Sequence, residues 1–157
     1  EPQAALDMLA LFSFVRKGKP AEDWLNCSRV WLSCAASLVH AAPSAKMTVA
    51  LCKLLSKSKL TKILQCACQV PENTIPSGVS VCSIAIGLFR KGRRVDYPNQ
   101  VIVSCVEAVL FWINEALERR TTQTTNKESW TDRNRCLSYA ALAMLKVRLS
   151  SFAKRLC

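Results

Sequence analysis

Glycine is scarce in this chain, with 4 residues in 157, and proline contributes only 6. A turn-dense β-sandwich needs a break every ~8–12 residues, so this scarcity argues against one. Carboxylates are few as well: 11 Asp and Glu stand against 22 Lys and Arg, which leaves a formal charge of +11. Histidine occurs once, as His40, so there is little material for imidazole catalysis or for a His-rich metal site. Long apolar runs are missing too. The longest stretches without a charge, Val30–Ala45 and Asn73–Phe89, span 16 and 17 residues, and each holds a proline. A membrane-spanning helix needs ~20 predominantly apolar residues, so none is expected. No basic segment followed by an apolar one suggests a signal peptide. The chain opens at Glu1-Pro2-Gln3 without an initiator Met, the expectation for a fragment or a processed product.

What is present is apolar. Half of the residues are hydrophobic, which excludes intrinsic disorder, because such a chain buries enough surface to offset its ordering entropy. The length suits one domain, 1–157. Apolar periodicity and stop signals predict an all-α fold of about seven helices in antiparallel pairs: Gln3–Arg16, Ala21–Ala41, Ser44–Leu55, Ser58–Val70, Ser77–Lys91, Pro98–Arg120 and Thr131–Leu156. The first is apolar around nearly its whole circumference and is expected to be buried on more than one side. The second carries a core stripe of Trp24, Cys27, Trp31, Cys34 and Leu38. Ser44 and Ser58 are the caps of the third and fourth, and Pro71–Pro76 is a two-proline loop. The fifth, rich in Val and Ile, would also suit a strand. In the last, Leu142, Leu145, Leu149, Phe152 and Leu156 repeat on one face and suit packing on a neighbouring helix.

One hexamer is echoed. Phe14-Val15-Arg16-Lys17-Gly18-Lys19 returns 74 residues later as Leu88-Phe89-Arg90-Lys91-Gly92-Arg93, each time closing a helix and leading into a long one. Cations followed by Gly are also ordinary helix-end signals. The helix pairs Gln3–Ala41 and Ser77–Arg120 approach the ~40–47-residue period of helical repeats, with a shorter pair, Ser44–Val70, between them. On this pattern the chain resembles an armadillo/HEAT-like α-solenoid. That resemblance implies part of a larger repeat protein, with internal units 1–76 and 77–157, that binds other proteins along a concave helical face without catalysis. A further resemblance, carried by no single motif, to the meiosis-inhibitor family implies meiotic double-strand-break biology.

The chemistry-bearing residues are sparse. No nucleophile elbow, Walker loop or dinucleotide fingerprint occurs. His40 sits among Leu38, Val39 and Ala41, and the only cysteine near it in sequence, Cys34, is on another helix face. No catalytic residue, cofactor or metal is therefore expected. The nine cysteines are odd in number and lie mostly in apolar helical patterns, which suits buried free thiols in a reducing compartment, nucleus or cytoplasm. Cys66 and Cys68 point ~200° apart on a helix, which does not suit a shared metal. The asparagine of Asn26-Cys27-Ser28 lies in a predicted helix, and that sequon is read as chance.

Cations are the main departure from average. Lys46, Lys53 and Lys57 share one helical face, and Arg90, Lys91, Arg93 and Arg94 crowd one turn. Such groups attract acidic protein partners or, nonspecifically, DNA or RNA phosphates. No helix carries residues arranged to read bases, and aromatics are not interleaved with the cations. Phe111 on an otherwise polar face (Gln100, Ser104, Glu107, Asn114, Glu118) and Trp130 beside a polar loop are candidate interaction residues. The function expected is a non-catalytic scaffold or protein-interaction module with basic edges. The alternatives are a nuclear nucleic-acid-associated domain and a secreted helical-bundle signal.

Overall fold

The apolar periodicity of the chain is realised as helices packed on helices. The computed structural model describes residues 2–12, 22–42, 44–57, 59–91, 99–122, 138–143 and 146. They form α1 (Pro2–Phe12), α2 (Glu22–Ala41), α3 (Ala45–Lys57), α4 (Leu60–Cys68), a 3-10 turn (Pro71–Asn73), α5 (Thr74–Lys91) and α6 (Asn99–Thr122). Residues 138–143 are helical as well, with Ser138 and Ala141 buried. No strand occurs among the described residues, so the Val- and Ile-rich fifth segment is a helix. The hexamer echo falls largely outside them, at 14–19 and 92–93, as does most of the last predicted helix.

Local chemistry sets the helix starts. The Ser44 hydroxyl accepts the Met47 amide at 3.2 Å and caps α3 as expected. At α4 the expected cap, Ser58, lies outside the described residues. The N-cap position is Lys59, in the left-handed region at φ 47° and ψ 65°, with no side-chain cap. Pro71–Pro76 is not an open loop. The 3-10 turn runs directly into α5, which begins at Thr74, three residues earlier than predicted. Pro76 falls in its first turn, where an amide would find no helical partner and the missing N–H does no harm. Asn73 Nδ2 donates to Asn26 Oδ1 at 3.4 Å and ties this turn to α2.

α5 is the central helix. It packs on α2 along one side and on α6 along the other, and α2–α5 is the most extensive contact. Glycine allows both approaches. A methyl at Gly78 would overlap the indole of the fully buried Trp112 on α6. A methyl at Gly87 would overlap Val39 Cγ1 and come within 3.2 Å of the His40 ring on α2. Leu32, Ala35, Val39, Val81, Ile84, Ala85, Val101, Ala108 and Val109 fill the shared core, each Leu, Ile or Val contributing about 1.5–3 kcal/mol by burial. α1 docks on α2, where Trp31 Nε1 donates to Leu9 O at 3.0 Å and satisfies a carbonyl of the last turns of α1.

Three expectations are corrected. α1 buries Leu6 and Leu9 but leaves Ala4, Asp7 and Met8 exposed, so its described part is buried on one side only. In α2, Trp31 and Leu38 are buried, whereas Cys27 and Cys34 face outward. The inward side runs through Ser28, Trp31, Leu32, Ala35 and Val39, with Trp31 bonded to α1 and Val39 against Gly87 of α5. The third concerns pairing. α3 and α4 hardly touch; α3 packs mainly on α6, and α4 spans α2, α5 and α6. Both helices turn their apolar faces to the common core, Leu51, Cys52 and Leu55 from one and Leu60, Ile63 and Leu64 from the other. In a linear stack of repeats each unit touches only its neighbours; here the first helical pair meets the third directly through α2 and α5.

Candidate functional site

The cations gather where carboxylates are missing. Between Asp23 and Glu72 the chain has no acidic residue, while Arg29, Lys46, Lys53, Lys57, Lys59 and Lys62 fall in that span. The core-facing side of α3 (Thr48, Leu51, Cys52, Leu55) leaves Lys46 and Lys53 exposed on the opposite side, and Lys57 ends the helix in the same register. Lys59 and Lys62 are exposed at the start of α4. Lys46 and Lys53 are seven residues apart, about 10 Å along the axis. That is close to one Debye length at physiological salt, so they repel each other weakly yet act together on a polyanion.

The turn after α5 is divided. Arg90 is exposed, but Lys91 is half-buried and its Nζ donates to Ala42 O at 2.7 Å, closing the C-terminal end of α2. A cation there offsets the carbonyl end of the helix dipole. Arg93 and Arg94 lie outside the described residues, as does Trp130. Phe111 does not stand free: it is half-buried and packed against the core. The apolar side chains exposed on α6 are instead Val103 and Leu110. Sequence reasoning placed Glu107 and Asn114 on this side but missed Val103 and Leu110, because it traced the face by its polar residues and took Phe111 rather than Leu110 as its apolar member.

His40 acquires a partner that lies 43 residues away in sequence. Its Nε2 is 3.0 Å from Ser83 Oγ and 3.1 Å from Ser83 O. Both oxygens of Ser83 are thus within hydrogen-bonding distance of the one ring nitrogen. The pair therefore fastens the end of α2 to α5, beside Gly87, and Lys91 does the same one turn on.

The buried thiols form the other titratable group. Cys52, Cys68, Cys82 and Cys105 are buried, and Cys66 is half-buried. Burial pushes Cys52 up to about 11 and Cys82 to about 12, against a smaller opposing effect of a hydrogen bond with Ser138. Cys105 is also pushed up to about 12, by burial first and then by the neighbouring Cys52 and Cys82. A thiol that ionises so late is inert at neutral pH. No cluster of three or more His, Cys, Asp or Glu side chains able to hold a metal occurs among the described residues, and no described helix is long and apolar enough to cross a membrane.

The sequence and fold were also compared with known proteins. No protein-family model, curated protein or solved structure matches this chain.

Proposed function

We propose that this chain is a non-catalytic helical interaction module that captures an acidic partner through the lysine face of α3 and the exposed lysines at the start of α4. The observation that carries this reading is the carboxylate-free span between Asp23 and Glu72, in which Lys46, Lys53, Lys59 and Lys62 all face solvent. A span with no carboxylate gives these cations no acidic neighbour on their own helices that would compete with a polyanion. Membership of a larger scaffold is in keeping with α1/α2 and α5/α6 as packed pairs. The missing α3/α4 pairing and the α2–α5 contact favour a closed bundle over a stretch of regular solenoid.

The test is fluorescence anisotropy of a labelled acidic peptide, a DNA duplex and a single strand, each titrated with the whole chain between about 50 and 200 mM salt. The expected result is binding of the acidic peptide that weakens with salt and falls about tenfold or more in K46E/K53E. Unchanged binding by that variant, or no binding at low salt, overturns the assignment. Preferential DNA binding with a steeper salt slope replaces the acidic protein with nucleic-acid phosphates.

A further inference from the structure

The outward face of α6 differs from the rest of the surface in two respects. Val103 and Leu110, seven residues apart, are 44% and 47% exposed, and Val106 and Ile113 flank that line, half-buried against the core. Apolar positions thus recur at 103, 106, 110 and 113, the three-four spacing with which one helix meets another. The charge is inverted as well. From Asn99 to Glu118 the helix carries Glu107, Glu115 and Glu118 and no Lys or Arg, in a chain with 22 cations and 11 carboxylates. Glu107 is exposed, between Val103 and Leu110 on the same line, and has no ion-pair partner among the described residues.

These features define an occupant. A surface that buries both Val103 and Leu110 must also cover Glu107, and a covered carboxylate is tolerated only where a cation meets it. A second copy of α6 fails this requirement. The two-fold pairing that sets Val103 against Leu110 also brings the two Glu107 carboxylates together, with no cation on either helix face to separate them. We propose that the outer face of α6 is a docking site for a basic amphipathic helix of a partner protein. The apolar ridge of that helix covers Val103, Val106, Leu110 and Ile113, and its central Lys or Arg pairs with Glu107. This site is independent of the lysine face of α3 and has the opposite charge preference.

Two labelled amphipathic helical peptides with the same apolar ridge provide the test, one with Lys at the central flanking positions and one with Glu there. Net charge alone would favour the Glu peptide on this basic chain, so the preference at α6 is diagnostic. The Lys peptide is expected to bind the whole protein, to lose about tenfold or more in affinity in E107K, and to lose binding in V103S/L110S. In E107K the Glu peptide is expected to gain affinity, and K46E/K53E is expected to leave Lys-peptide binding no weaker. All the positions changed are exposed, and far-UV circular dichroism checks that the fold is kept. Failure of the Lys peptide to bind, equal binding of a scrambled Lys peptide, or insensitivity to E107K and V103S/L110S overturns the proposal. None of these outcomes bears on the lysine face.

Discussion

Gly78→Ala tests the central packing claim, because the two effects of that change have opposite signs. Ala is the better helix former, and in a helix interior the exchange gains about 1 kcal/mol. Against this, the new methyl would overlap Cε2, Cδ2 and Nε1 of Trp112, whose indole is fully buried and has no open side to retreat into. Ordinary contact between such atoms starts near 3.4 Å, so either the ring or the α5–α6 spacing must give by more than an ångström. Overpacking of a tight core costs about 1–3 kcal/mol and sometimes more, and this overlap belongs at the upper end. The net loss is therefore about 2 kcal/mol, or a fall in the urea midpoint of about 1 M if the slope is near 2 kcal/mol/M. The assay is urea unfolding by far-UV circular dichroism on four proteins: wild type, G78A, W112L and the double variant. In W112L the methyl has room, so G78A is expected to be neutral or stabilising there, with a coupling of about 2–3 kcal/mol between the two sites. A rise in the midpoint of G78A alone, or the same cost in both backgrounds, would refute the account of Gly78 as the point where α5 and α6 meet.

Two further outcomes follow from the thiols. Cys52, Cys82 and Cys105 ionise later in the folded protein than the ordinary value of 9, so the unfolded chain gives up its thiol protons first. Their contribution to stability is therefore whole below about pH 9 and is lost as pH rises toward 11 to 12, each group costing about 1.4 kcal/mol for every pH step of one across that window. The urea midpoint should fall between pH 8 and pH 10.5, and less steeply in C52A than in wild type; equal slopes would remove the thiols from the explanation. Maleimide labelling followed by peptide mass spectrometry should modify Cys27 and Cys34 in the folded protein. Cys52, Cys68, Cys82 and Cys105 should react only after denaturation, and comparable rates at Cys52 and Cys27 would place the core elsewhere.

Helix content was legible because it is local. Six predicted segments coincide with α1 to α6 to within a few residues, and the Ser44 cap was readable from residue type alone. Which side of a helix faces inward was less legible. Cys is apolar enough to join a stripe on paper, yet Cys27 and Cys34 are outside, and the bulkier Leu32 and Val39, on the adjacent line, are the buried residues. Val103 and Leu110 were hidden because that face was traced by its polar residues. Pairing was least legible, since a short link between α3 and α4 suggests a hairpin while the direction of each apolar face decides the neighbour. The cationic face of α3 was visible at seven- and four-residue spacings. The contact of Lys91 with Ala42 and that of His40 with Ser83 were not, because each joins residues more than 40 apart in sequence.

The marriage of α2 to α5 also bears on the order in which the protein is made. About fifty residues separate the centres of these helices, and ribosomes add about 5–20 residues per second. A nascent chain thus holds α2 for about 3 to 10 seconds before its main partner exists. During that interval the ridge of Leu32, Ala35 and Val39 has only earlier-made helices to lie against. Chain release or pausing before Thr74 would yield a species in which α2 lacks its most extensive contact, a natural client for a holdase chaperone, whereas completion of α5 closes the core on it.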